Sequence, residues 1–299
     1  MDDHQPIEHA ILRTLAYSDV FSYPLNMVEI HYYLIGLSAG LEQVERALLE
    51  DLVPSRRVFA EDGNFCLPLR QESIERRRRR EQAAATQWPA AQRFGKLIGC
   101  LPYVRMVAVT GALAVNNVDP DDDIDYLIVT QPGRLWLCRA MIIGVVRLAR
   151  GMRVRLCPNY LLSENALRFP EISLYPAHEV VQMVPIAGLP VYRRIRQINS
   201  WTADYLPNST GMPPSRPAAG LEPERSAGSE GCERVFQGRV MEKVEYWEME
   251  RKIRKFRALK SGIQESAFGR DWCKGHFEDH GQSTMRRYQE RLKALNLSP

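Results

Sequence analysis

The sequence lacks any long uninterrupted apolar run. The longest fully apolar helical candidate, Ala140 to Val146, is bounded by Arg139 and Arg147, far short of the roughly 20 residues a membrane span needs. No membrane partner is therefore expected. A hydrophobic leader is missing as well, because the N-terminus MDDHQPIEHA is acidic and polar, which argues against a secretory signal. Cys-x-x-Cys pairs are also missing. Cys66, Cys100, Cys138, Cys157, Cys232 and Cys273 are scattered along the chain, a pattern that suits buried thiols in a reducing cytoplasm better than a disulfide framework. What remains is a 299-residue chain with 45% hydrophobic residues, enough for two or three domains with real cores.

The richest stretch is Val104 to Thr130, VRMVAVTGALAVNNVDPDDDIDYLIVT. It reads as an apolar strand, a glycine turn, a polar acidic loop and a second strand. Side chains alternate along a strand, so Asp123 and Asp125 are expected on one face while Ile124 turns to the other. Two carboxylates so placed can share one divalent cation or a pair of them. Gly111 follows the apolar run Val107 to Val109, where a residue without a Cβ can turn sharply and let the backbone approach a phosphate.

This arrangement resembles the nucleotidyltransferase superfamily that includes DNA polymerase beta, marked by a Gly-Ser or Gly-Gly turn followed by Asp-x-Asp on a strand. The match spans roughly residues 100–165. The resemblance implies that Asp123 and Asp125 hold Mg2+ (or Mn2+) and carry catalysis, that Thr110, Gly111 and Ala112 form the phosphate turn, and that an NTP is the substrate. Ala112 departs from the family pattern: the backbone N–H groups survive, but a hydroxyl contact to phosphate is lost. The family also supplies a third carboxylate from a later strand. The candidate strand Arg153 to Leu162, RVRLCPNYLL, contains no acid, and Asn159 stands where one is expected. An amide oxygen is a weaker ligand. Glu164, Glu179 and Asp204 are the acids left to complete the set.

Upstream, Ile7, Ile11, Leu12 and Leu15 have helical spacing, Asn26 can cap a second helix running to Leu34, and Leu41 to Leu52 repeats the pattern through Val44, Leu48 and Leu49. Asp62-Gly63 between the β-prone runs Arg57 to Ala60 and Phe65 to Leu67 signals a hairpin. Three helices and a hairpin follow the winged-helix order. Yet the third helix carries Glu42, Glu45, Glu50 and Asp51 against Arg46, and an acidic recognition helix argues against DNA. The run Arg76 to Arg80 opens a long connecting helix, Ser73 to Cys100, as a solvated face or as a guide for a polyanion.

After the signature, Arg134 to Gly151 is expected as a helix stopped by Gly151, followed by a strand through Cys157 and Tyr160 and a mostly helical continuation. Residues 207–231 are rich in Pro, Gly and Ser and read as a linker. Val240, Val244, Trp247, Ile253 and Phe256 are expected along the buried side of a helix spanning 240–259. The tail from Cys232 carries 15 Lys and Arg against 10 Asp and Glu, a surplus suited to an acidic acceptor or simply a solvated face. Cys273, His276 and His280 have ligand-like spacing, but Gly275 interrupts them and no fourth zinc ligand is evident.

These readings predict an α+β protein. Residues 1–70 form a winged-helix-like module, 71–100 a connecting helix, 101–206 a nucleotidyltransferase-like mixed-sheet core, 207–231 a flexible linker and 232–299 a helical basic region. The function expected is metal-dependent transfer of an NMP from an NTP to an acceptor hydroxyl on RNA, protein or a small molecule. The alternative is a non-catalytic nucleotide- or partner-binding regulatory protein that keeps the fold.

Overall fold

In a computed structural model the protein is a mixed α+β molecule, and the structure describes residues 5–68, 70–215, 239–259, 268–274 and 280–297. The chain opens with α1 (Gln5–Asp19), whose Ile11, Leu12 and Leu15 are buried, as their spacing requires. After β1 (Leu25–Asn26) comes α2 (Met27–Tyr32), which starts in a capping box: Asn26 Oδ1 accepts from Glu29 N and Glu29 Oε2 accepts from Asn26 N, each at 2.9 Å. The third helix begins as α3 (Leu41–Arg46) and widens into a π-helix, Ala47–Leu52, in which Leu48 and Leu52 stay buried while Leu49 turns outward. Strands β2 (Phe59–Glu61) and β3 (Asn64–Cys66) form the hairpin, with Asp62 and Gly63 at φ of 49° and 72°. Two positive φ values in a two-residue turn match the right-handed twist of the strands they join. The small antiparallel sheet has the order β1-β3-β2.

Helix α4 (Glu72–Gly99) leads to a five-stranded sheet of order β7-β4-β5-β6-β8. Its strands are β4 (Val104–Val109), β5 (Ile124–Thr130), β6 (Leu156–Ser163), β7 (Val184–Ala187) and β8 (Trp272–Lys274). β5 runs parallel to β6, and every other pairing is antiparallel. The short α5 (Gly111–Ala114) follows β4, and α6 (Leu135–Gly151) makes the crossover from β5 to β6. One face of the sheet, through Val107, Val109, Tyr126 and Ile128, packs on α4 and α6. The other, through Met106, Ala108, Leu127 and Val129, packs on α7 (Leu174–Val181) and α8 (Leu189–Ile198).

Helix α6 ends at Gly151 as expected, and the chain leaves it through Arg153, at φ 60°. Several expectations are revised. The continuation after β6 is interrupted by β7, which covers the edge of β4 and turns at Gly188, φ 74°. A Cβ there would lie 2.0 Å from the Arg105 carbonyl oxygen, so a glycine is needed. Of the 207–231 segment, residues 216–231 lie outside the described residues. Within 207–215, the Ser215 hydroxyl donates to the Ala114 carbonyl and the Ser215 carbonyl accepts from Asn116 Nδ2 at 2.9 Å.

The C-terminal residues are built into the rest of the fold. β8 pairs with β6, and α10 (His280–Ala294) sends Tyr288 and Leu292 into the core formed by α1, α2 and α7. In α9 (Arg239–Leu259) the apolar face predicted from Val244 and Trp247 is wrong: both are exposed, Trp247 at 59%. The buried positions are Glu245 and Glu248, with Met249 and Ile253 packing inward. Glu245 is inside because its carboxylate accepts from the amides of Trp136 and Leu137 at 2.8 and 2.7 Å, capping the first turn of α6. The side chains of Val240 and Phe256 lie outside the described residues.

Candidate functional site

The signature lies where β4, α5 and β5 meet. β4 ends at Val109, and Thr110 N donates to the Asp125 carbonyl at 3.0 Å, closing the antiparallel pair. The chain then turns at Gly111, φ 63°. A Cβ at 111 would stand 2.6 Å from Asp125 Oδ2, so the glycine lets the turn lie directly against that carboxylate. Thr110 is 3% exposed, and its Oγ1 has no hydrogen-bond partner among the described residues.

Asp123 and Asp125 are brought together with Ala112 on the wall of one cleft of about 620 Å³, although the strand begins at Ile124 and Asp123 sits just before it. The same cleft is lined by Val146 and Arg150 of α6 with Val154, Arg155 and Leu156. Arg155 Nε pairs with Asp123 Oδ1 at 2.8 Å, with side-chain exposures of 58% and 47%. These two arginines escaped the sequence reading. For Arg155 the available signal was RVRL immediately before β6, which puts a cation beside the start of the parallel partner β5.

Asp125 also faces the α7 side of the sheet. In the β5–β6 register it lies opposite Cys157, and the pairing then slips, so that Leu127 meets Tyr160. The slip throws out Pro158 and Asn159, and Asn159 Oδ1 is buried without a hydrogen-bond partner among the described residues. The Cys157 thiol is hydrogen-bonded to the Asp125 carboxylate, and burial together with that charge pushes its pKa well up. Cys157 is thus an inert donor to Asp125 rather than a nucleophile.

The three candidate third acids separate. Glu164 lies at the far end of β5, its amide bonded to the Thr130 carbonyl and its carboxylate 3.7 Å from Arg105. Asp204 is exposed on the 3₁₀ turn Ser200–Asp204. Glu179, on α7, comes round to Asp125: burial and then the Asp125 charge raise its pKa to about 7, while Lys274 and a 2.9 Å hydrogen bond from Gln182 oppose the rise. Lys274 is hydrogen-bonded to Tyr160, its partner across β6 and β8. Among the described residues, no group of three or more His, Cys, Asp or Glu is arranged to hold a metal ion. Of the proposed zinc set, Cys273 is buried in β8, while His276 and the side chain of His280 lie outside the described residues.

The arginine run is less solvated than its composition suggests. Arg77 is buried against Glu29, and Arg80 forks onto Asp119 at 3.1 and 3.0 Å. That contact, supported by Arg76 and Arg79, holds the Asp119 carboxyl below its usual range. No helix among the described residues is long and apolar enough to cross a membrane. No protein-family model, curated protein or solved structure matches the chain.

Proposed function

We propose that the cleft binds a nucleoside triphosphate with Mg2+ or Mn2+ and that the protein transfers an NMP to an acceptor hydroxyl on RNA, protein or a small molecule. The observation that carries this reading is the fit of the Gly111 turn against Asp125, with Asp123, Arg150 and Arg155 lining the same cleft. The donor chemistry suits the ion: Mg2+ is commonly held by one or two carboxylates together with substrate phosphates and water. Asp123 and Asp125 would hold it, and it would neutralise charge on the phosphates. In the turn at Gly111 and Ala112 the backbone amides would be offered to a phosphate, the Thr110 amide being held by the Asp125 carbonyl. Arg150 and Arg155 would face the triphosphate, Arg155 exchanging its hold on Asp123 for a phosphate oxygen. The Cys157 thiol keeps Asp125 oriented. The core is then nucleotidyltransferase-like, the N-terminal helices and hairpin form a winged-helix-like module, and the acids of α3 turned to solvent favour a packing or protein-contact role over DNA.

The second reading is a non-catalytic nucleotide- or partner-binding protein. The Asp123–Arg155 pair, Ala112 in the turn and the absence of a three-acid cluster among the described residues favour it. Calorimetry with and without metal, followed by transfer of labelled NMP to mixed acceptors, separates the two. Asp125→Asn should leave the fold intact and reduce transfer at least about a hundredfold, on the order of 3 kcal/mol of transition-state stabilisation. Metal-dependent NTP binding without transfer to any acceptor selects the binding reading. Equal NTP affinity in EDTA sinks the site.

A further inference from the structure

Residues 115–123, which join the Gly111 turn to the two aspartates, lie along α4. Trp88 Nε1 donates to Asn116 Oδ1 at 2.7 Å, and Gln87 Nε2 donates to the carbonyls of Asp119 and Pro120 at 3.2 and 3.4 Å. Arg80 uses the whole guanidinium. Nε and one terminal nitrogen fork onto the Asp119 carboxylate, and the other terminal nitrogen donates to Asn117 Oδ1 at 2.8 Å and to the Phe21 carbonyl at 3.2 Å. Each loop group it holds connects onward to the site. Asn117 N donates to the Ala112 carbonyl at 2.9 Å, which ties it to the turn. Asp119 N donates to Asp122 Oδ2 at 2.8 Å and Asp122 N returns a bond to the Asp119 carbonyl at 3.0 Å, immediately before Asp123. Phe21, at the third contact, belongs to the turn after α1.

We infer that Arg80 is a positioning residue that sets the spacing between the phosphate turn and the aspartates, and that it couples this spacing to the N-terminal module through the Phe21 carbonyl. The inference rests on the nucleotide-site reading for its consequence and on the contacts above for its geometry. One planar fork satisfies acceptors on two segments at once, which an ammonium on a flexible stem cannot do. A partner that shifts the turn after α1 would be felt at Asn117 and Asp119 with no contact to the cleft.

The test compares the full chain with Arg80→Lys and Arg80→Ala by amide hydrogen exchange and by calorimetry with Mg2+ and an NTP. Both variants should speed exchange at Asn117, Asp119 and Asp122, and at Phe21 to Tyr23, by at least about tenfold, while β4 and α6 keep their protection. Nucleotide affinity should fall by at least about tenfold in both. Wild-type protection in Arg80→Lys overturns the inference, because charge without the fork would then suffice. Faster loop exchange with unchanged affinity overturns it too, leaving a local strap. Uniformly faster exchange in both variants reduces Arg80 to a stability role. If the wild type binds no nucleotide, the functional reading fails on its own, and the response at residues 21–23 together with the loop still decides the coupling.

Discussion

The carboxylates at the mouth of the cleft and those inside the molecule are held in opposite ways. Asp123 is half exposed and meets a surface arginine, Arg155. Glu29 and Glu245 sit in the packed interior, each with donors from an element distant in sequence. Burial removes a carboxylate from water at a cost that specific donors must offset. The interior acids therefore fasten elements together, whereas an exposed acid keeps a charge that a ligand can use.

The comparison is broken most forcefully at Glu29. Arg77 clamps it at 2.6 and 3.1 Å, also bonds the Pro24 carbonyl and Glu81, and lies 4.5 Å from the Tyr23 ring. Arg77→Ala leaves Glu29 buried and unpaired, and chemical denaturation should show a loss of about 3–5 kcal/mol. Arg77→Ala together with Glu29→Gln should recover part of it.

Next comes α7, where two adjacent residues titrate against each other. Burial lowers the His178 pKa from 6.5 to about 4; its ring stacks on Tyr17 at 3.9 Å, and Nδ1 donates to the Leu174 carbonyl at 3.0 Å. An imidazole with a depressed pKa makes stability rise with pH between 4 and 6.5, because the unfolded chain binds the extra proton there. Glu179, raised from 4.5 to about 7, makes stability fall with pH between those values, because the folded chain binds the extra proton. The two slopes oppose each other from about pH 4.5 to 6.5, so melting temperature should vary little across that window. Glu179→Gln should uncover the rise due to His178 and be more stable than wild type above pH 7, on the order of 2 kcal/mol. A variant whose pH profile overlays the wild type would show that Glu179 is not held in its neutral form.

A smaller effect is expected at Glu245. Glu245→Ala orphans two amides at the start of α6 and should cost about 1–2 kcal/mol, with exchange rising first at Trp136 and Leu137. Smallest is Asp123→Asn, which removes an exposed ion pair and should change stability by less than about 1 kcal/mol, while weakening Mg2+-dependent NTP binding if the functional reading holds.

Legibility in the sequence followed the same division. The α1 face, the Asn26 cap, the Asp62-Gly63 hairpin and the strand–turn–strand around Gly111 are local patterns, and the structure has each of them. The buried face of α9 was misread because apolar periodicity has no term for a glutamate that caps another helix more than 100 residues away in sequence. β7 and β8 are short, and each is defined by its pairing with a strand distant in sequence, which local pattern does not show. At the site, Gly111, Asp123 and Asp125 were legible as a motif. Arg150 and the approach of Glu179 were not, since they depend on how α6 and α7 cross the sheet, and Arg155 was missed because its place depends on β6 pairing with β5.

The place of β8 gives the protein a timetable. During synthesis β6 is complete at Ser163, but the strand that satisfies its outer edge, Trp272 to Lys274, follows about a hundred residues later. Until then a growing chain presents an unpaired edge ready to recruit a foreign strand. Any shortened form ending before Trp272 would keep that edge permanently, so its characteristic failure should be self-association through β6 rather than a quiet loss of one function.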